Sequence, residues 1–236
     1  NDCVNNSGFS LVKDFRNLWP YTNRLTVEDY SYTKGQGLKW VEDDGAVNPE
    51  VLFKIKYSNL ASWSTSTGYA NQMALYMGIR GYQPLSNTFP FGQGWGVGPV
   101  SPGFYNEWSE AEPDDMRRNA SIQDLNELPQ YSYNVWGNDV QETQYHEKKN
   151  SPISCKEGEY NYAYNFESIM FGAADYSFQL GNTHPLNIIR FADVLLMQSE
   201  LTGTVDGMNK VRERVGLPAL TTYSLAALQN ERRWEL

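Results

Sequence analysis

Glu231 and Glu235 stand one helical turn apart in the run Glu231-Arg232-Arg233-Trp234-Glu235-Leu236, and a pair of carboxylates is what glycoside hydrolysis requires. That chemistry needs the two carboxyls on facing elements, roughly 5 to 10 Å apart across a cleft. Here both project from one helix beside two arginines, which predicts a salt-bridge network on a packed helix instead of an acid and a base. His146 and His184 are the only histidines, and neither sits in a Gly-x-Ser-x-Gly or His-Glu-x-x-His frame. His184 directly precedes Pro185, where a structural role is expected. Cys3 and Cys155 are too few and too far apart for a disulfide framework or a zinc site, so they leave the redox compartment open. Glu42-Asp43-Asp44-Gly45 lacks the alternating ligands of a calcium loop and is expected to be a solvated turn. Phe91-Gly92-Gln93-Gly94-Trp95-Gly96-Val97-Gly98 has the glycines of a phosphate cradle but neither its order nor its strand-then-helix context. Its glycines are expected to let the backbone turn tightly beside Trp95. The sequence thus predicts no catalytic residues, no metal and no cofactor; the protein is expected not to be an enzyme.

The aromatic residues are the better chemical lead. They make up 14% of the chain, with sixteen Tyr and seven Trp. Each combines a flat apolar face with a polar edge, which suits a partly exposed platform as well as a core. From Asn59 to Trp108 they alternate with Gly, Ser, Thr, Asn and Pro, so they sit on irregular backbone. A pyranose ring has an apolar C–H face that stacks on such side chains while amides and carboxylates take its hydroxyls. Trp63, Tyr69, Tyr82 and Trp95 are the candidate stacking residues, because Gly- and Ser-rich backbone commits a side chain least to a core. Core packing is the ordinary use of any single aromatic, and exposure decides between the two. Tyr131 to Trp136 offers a reserve of the same kind.

A formal charge of −9 with no Lys/Arg cluster argues against a nucleic-acid partner, which would demand counterion release by clustered cations. No run of eighteen apolar residues exists, and no signal-peptide pattern is visible at Asn1. The length suits one large domain or two small ones, and nothing in the sequence forces a split.

The elements that must position these residues are clearest at the end of the chain. Pro185 is placed to open a helix running through Ile188, Phe191, Ala192, Leu195, Leu196 and Ser199 at helical spacing, and the small residues Ala192 and Ser199 admit a close partner helix. After a break at Thr202-Gly203-Thr204, Met208, Val211 and Val215 mark a second helix, closed by Gly216 and Pro218. Thr221 and Thr222 are candidate caps for a third, through Leu225 and Leu228. Glu50 to Tyr57 alternates apolar and polar residues and predicts a strand. Ser101-Pro102 predicts a helix start that puts Phe104 and Trp108 on one face, Ala120-Ser121-Ile122 a short strand, and Asp115 with Arg118 a structural ion pair.

Three blocks carry a resemblance. Arg190-Phe191-Ala192-Asp193-Val194-Leu195-Leu196-Met197 with Glu200, then Asn209-Lys210-Val211-Arg212-Glu213-Arg214-Val215-Gly216-Leu217-Pro218, then Glu231 to Leu236, resemble in order the C-terminal signature of the SusD/RagB family. The resemblance implies a mainly α fold with minor β and long loops, the C-terminal part of a SusD-like domain. Residues 1–184 would form a loop-rich aromatic region and 185–236 a helical region with a tetratricopeptide-like hairpin. It further implies binding of an oligosaccharide or polysaccharide at the cell surface and delivery to a SusC-like TonB-dependent outer-membrane transporter. Attachment to the outer membrane would be through a lipid anchor outside this chain, and Cys3 is not that anchor. The chain is expected to be incomplete at both ends, and Val4 to Gly8 to be a helix end. Arg190, Glu200, Arg212, Arg214, Glu231, Arg232 and Glu235 are expected to be structural charges. The alternatives are a tetratricopeptide-like interaction scaffold, whose helix grooves would be the working surface, and binding of a nutrient other than a glycan.

Overall fold

A computed structural model describes residues 1–58, 70–80, 84–135, 142–159, 161–172 and 177–236. In chain order its elements are α1 (Asp2–Asn6), β1 (Val51–Ile55), α2 (Gln72–Met77), β2 (Ile79–Arg80), α3 (Leu85–Thr88), β3 (Gln93–Gly94), β4 (Pro99–Val100), α4 (Pro102–Ala111), α5 (Met116–Ser121) and β5 (Ile122–Asp124). There follow β6 (Tyr145–Glu147), β7 (Cys155–Glu157), β8 (Asn161–Ala163), α6 (Phe166–Met170), β9 (Leu186–Arg190), α7 (Phe191–Thr202), α8 (Asp206–Arg214) and α9 (Leu225–Glu235). Helix outweighs strand and long irregular connections join the elements, so the fold is mainly α with minor β.

The last three helices build one apolar core from Phe191, Ala192, Leu195, Leu196, Met208, Val211 and Leu228. α7 and α8 approach very closely at the small residues. A Cβ added to Gly207 would lie 1.8 Å from the Leu195 carbonyl oxygen, and the Ser199 hydroxyl accepts the Met208 N–H (3.0 Å). Gly203 (φ 65°) ends α7 in the left-handed conformation that glycine adopts without penalty.

The first of these helices starts later than the sequence suggests. Pro185 does not open it; Leu186–Arg190 is extended and pairs antiparallel with Val51–Ile55, with Val51 opposite Arg190 and Ile55 opposite Leu186. Ile188 and Ile189 fit a helical stripe and a strand equally, and β-branched residues favour the strand once a partner is present. β1 itself is turned the unexpected way. Phe53 and Ile55 face outward, while Leu52 packs on the helical core and Lys54 pairs with Glu42 (2.6 Å). The Glu42–Gly45 turn is accordingly not solvated throughout: Glu42 and Asp43 are buried, and Asp43 accepts the Arg24 N–H (3.0 Å). The cap of α9 is Ser224, whose hydroxyl accepts the Ala227 N–H (3.1 Å), in place of Thr221 or Thr222.

A second, larger core gathers Phe15, Leu18, Trp19, Tyr21, Tyr30, Trp40, Ile79, Phe91, Ile153 and Phe166 beneath the loops, which explains where many of the aromatics go. A small separate cluster gathers Trp108, Ile122 and Trp234, and the Trp108 and Trp234 indoles stack with centroids 6.0 Å apart. β6 is the centre of a three-stranded antiparallel sheet, with β4 and β5 as its edges.

Candidate functional site

The charged residues of the terminal helices converge in the interior. The Arg117 guanidinium, fully buried, bonds Asp115 (2.7 Å), Glu231 (3.1 Å) and Glu235 (3.3 Å). Arg190 bridges Glu50 and Glu235, each at 2.7 Å; Arg214 joins the same two carboxylates, and Arg212 joins Glu231 and Glu112. Burial disfavours the charged form of Glu235, but Arg214, Arg190 and Arg117 outweigh it and hold the carboxyl well below the usual range. A carboxylate so held cannot serve as a proton donor near neutral pH. Glu231 and Glu235 therefore belong to a buried ionic network that ties α9 to β1, β9, α5 and α8. The sequence missed Arg117 as the hub. Asp115 pairs with it instead of with Arg118, whose guanidinium donates to the Glu112 and Pro113 carbonyls (3.1 Å each).

The remaining buried titratable groups are likewise held by their surroundings. His184 Nδ1 lies 2.8 Å from Glu167 Oε1, which also accepts the His184 and Thr183 backbone N–H groups. His146 is buried in the middle strand; burial, only partly countered by a hydrogen bond to the Met77 backbone, draws its pKa down to about 4. Lys148 Nζ sits 3.8 Å from the Tyr32 ring centroid, with Tyr30 and Tyr21 completing the cage, and burial draws its pKa down to about 7. Cys3 is exposed, Cys155 is buried, and both are free thiols.

Exposed aromatic surface lies on the glycine-rich loop. Residues 95–97 zip onto the end of α2: Trp95 N–H donates to the Leu75 carbonyl (2.9 Å), Gly96 to Gly78 (2.8 Å) and Val97 to Tyr76 (2.8 Å). These bonds satisfy carbonyls that a short helix leaves open at its end. They also occupy the N–H groups that a phosphate cradle would need. The fit depends on absent side chains, since a Cβ on Gly94 would fall 2.3 Å from the Leu75 carbonyl oxygen and one on Gly98 2.5 Å from that of Met77. At the other end of α2, Asn71 caps Ala74 (3.1 Å) and donates to the His184 carbonyl (2.9 Å), so the Glu167–His184 pair steadies the element that carries the site.

This docking sets the Trp95 indole against the Tyr76 ring, with centroids 5.1 Å apart and planes at 66°. Both stay substantially exposed, Trp95 at 39% and Tyr76 at 42%, and Met73 and Val97 are exposed as well. Large aromatics that are exposed yet held in place are characteristic of contact surfaces. Trp95 is thus where the sequence puts a candidate platform, and Tyr76 is the partner that sequence reasoning passed over. No local pattern marks it, because its exposure depends on how residues 95–97 dock on α2. Trp63, Tyr69 and Tyr82 lie outside the described residues.

The fold agrees with comparisons to known proteins. The SusD family profile matches residues 22–236. A solved laminarin-binding SusD-like protein is 25% identical, with a TM-score of 0.67 over 98% of this chain and 44% of that one. Surface glycan-binding protein A from Bacteroides thetaiotaomicron, in complex with laminarihexaose, is 20% identical, with a TM-score of 0.67 over 98% of this chain and 44% of that one. Surface glycan-binding protein A from Bacteroides fluxus is 23% identical, with a TM-score of 0.64 over 97% and 41%. The chain spans under half the length of these structures. No curated protein is detectably similar to it.

Proposed function

This chain belongs to the SusD family, and from that premise we propose that it captures an oligosaccharide or polysaccharide at the outer cell surface and passes it to a SusC-like TonB-dependent transporter without cleaving it. The observation that carries the proposal is the exposed Trp95–Tyr76 pair, fixed on a loop whose backbone bonds hold it to α2. A rigid aromatic face offers a sugar ring a large contact area with little rotamer entropy to lose. Trp63, Tyr69 and Tyr82 are proposed to extend the platform. The buried Glu235 carboxylate, held ionised by Arg214, Arg190 and Arg117, supports a binding role over a hydrolytic one. The outer membrane is the proposed location, with a lipid anchor outside this chain.

A similar solved protein is described as laminarin-binding, so laminarin is the first ligand to test. Full-length protein should be retarded in a laminarin affinity gel, and the Trp95→Ala variant should migrate as in a gel without polysaccharide. No retardation in laminarin or in a panel of other polysaccharides would count against capture. Release of new reducing ends would count against a role limited to binding.

A further inference from the structure

Of the three non-glycine residues with positive φ among the described residues, two, Asn134 (φ 61°) and Gln144 (φ 75°), border one cluster of tyrosines. Left-handed backbone is uncommon for residues with side chains and persists where the surroundings enforce it, which happens disproportionately at sites of function. Here the enforcement is visible. Asn134 N–H donates to Glu142 Oε2 (2.6 Å), Tyr131 donates its hydroxyl to Glu142 Oε1 (3.0 Å), and the Gln144 amide donates to Asp124 Oδ2 (3.0 Å). Tyr133 crosses Tyr131 edge to face at 5.0 Å and donates its hydroxyl to Asn126 Oδ1 (3.0 Å). Tyr145 stacks flat on Tyr105 (4.1 Å, 13°), and both rest on the cluster of Trp108, Ile122 and Trp234.

We propose that Tyr133 and Tyr145, edged by Asp124, Asn126 and Glu142, form a second saccharide subsite, which engages the same glycan chain as Trp95. It stands only if the platform function proposed above stands. Aromatic faces with carboxylate and amide groups at their rims match the two chemistries of a sugar, an apolar C–H face ringed by hydroxyls. Each Glu142 oxygen already accepts one internal donor, which fixes its direction, and a carboxylate oxygen has a second lone pair for a sugar hydroxyl. The cluster is therefore organised before any ligand arrives, so little ordering entropy opposes binding.

The two platforms are close enough for one chain. Five residues separate Trp95 from Val100, at most about 17 Å when extended, and Val100 faces Tyr145 across the β4–β6 ladder at about 5 Å. An oligosaccharide of several sugars covers that span. Holding one end on Trp95 makes engagement of the other intramolecular, which raises affinity for long chains beyond that of either subsite.

Nuclear magnetic resonance on the full-length protein tests this with two glycans, laminaribiose and laminarihexaose. Laminaribiose should shift both the Trp95 indole N–H and the Asn126 side-chain amide. The Tyr133→Ala variant, verified as folded by circular dichroism, should lose the Asn126 response and bind laminarihexaose about tenfold more weakly, the scale of one aromatic contact. A response at Trp95 alone, with unchanged laminarihexaose affinity in Tyr133→Ala, would overturn the second subsite and leave the platform intact. No response at either position, with no laminarihexaose binding, would remove both.

Discussion

Arg117 and Glu235 are 118 positions apart in sequence and 3.3 Å apart in the fold, and neither side chain touches solvent. The pair joins the α5 segment to the last helix, so charge as well as apolar packing links distant parts of the chain. Four guanidiniums, of Arg117, Arg190, Arg212 and Arg214, meet the carboxylates of Glu50, Glu112, Asp115, Glu231 and Glu235 in that network. Removing one member strands the others without water to solvate them.

Arg117→Ala should therefore lower stability by about 3–5 kcal/mol, the range for breaking a buried ion pair. Arg232, expected from sequence to behave alike, is a third exposed where it meets Asp193 (2.8 Å), so Arg232→Ala should cost only about 1 kcal/mol or less. Urea unfolding midpoints of the two variants would separate these values. Equal losses would mean that burial does not set the cost. Glycan affinity per folded molecule should stay unchanged in both.

Much of the helical hairpin is legible in sequence because its information is local: Ala192, Leu195, Leu196 and Ser199 repeat at helical spacing and Gly203 and Gly216 close the helices. The Leu186–Arg190 strand is not, since its partner strand lies far upstream and Arg190 meets Glu50 across 140 positions. Arg117 escapes for the same reason, while the adjacent Asp115 and Arg118 make a plausible local pair. At the candidate site Trp95 is legible from its glycines. Tyr76 is not, because its exposure depends on how residues 95–97 dock on α2.

His146 gives a dependence on pH. Its folded pKa of about 4 lies below the unfolded value of about 6.5. Between those values the unfolded chain binds the proton and the folded chain does not, so stability falls as pH drops from about 6.5 towards 4, by about 3 kcal/mol. Denaturant midpoints measured from pH 7 to 4 should show the loss, and His146→Gln should flatten it. Glu235 acts lower on the scale: its depressed pKa supplies stability above the unfolded value of about 4.3 that is lost as pH falls further. A His146→Gln variant with an unaltered slope between pH 6.5 and 4 would refute the assignment.

Gly94→Ala tests the docking of the loop. The new methyl would meet the Leu75 carbonyl oxygen at 2.3 Å and the Gly78 Cα at 2.7 Å, both backbone atoms that cannot rotate away. Loop and helix would have to part, at a cost of about 1–3 kcal/mol. The Trp95–Leu75 hydrogen bond should lose its protection in hydrogen exchange, and glycan affinity should fall with it. Preserved protection at Trp95 would show that the helix end tolerates the methyl and that the close approach is not required.

Trp95 carries the functional claim, so its substitutions should be graded by the ring that remains. Trp95→Ala removes the exposed face and should weaken glycan binding by up to about tenfold, since one aromatic contact is worth about 0.5–1.5 kcal/mol. Trp95→Tyr keeps a smaller face on the same backbone and should fall between the two. Tyr76→Ala leaves the indole but takes away the ring that it leans on at 5.1 Å, so it should reduce affinity by loosening Trp95. Stability should change little in Trp95→Ala, because the side chain is 39% exposed and absent from the apolar cores. The check is isothermal titration with the glycan that the affinity gels retain, alongside thermal unfolding of each variant. Affinity that follows ring area, at constant stability, is the outcome specific to stacking. Affinity that tracked stability instead would place the glycan elsewhere and leave Trp95 as a surface residue of the loop.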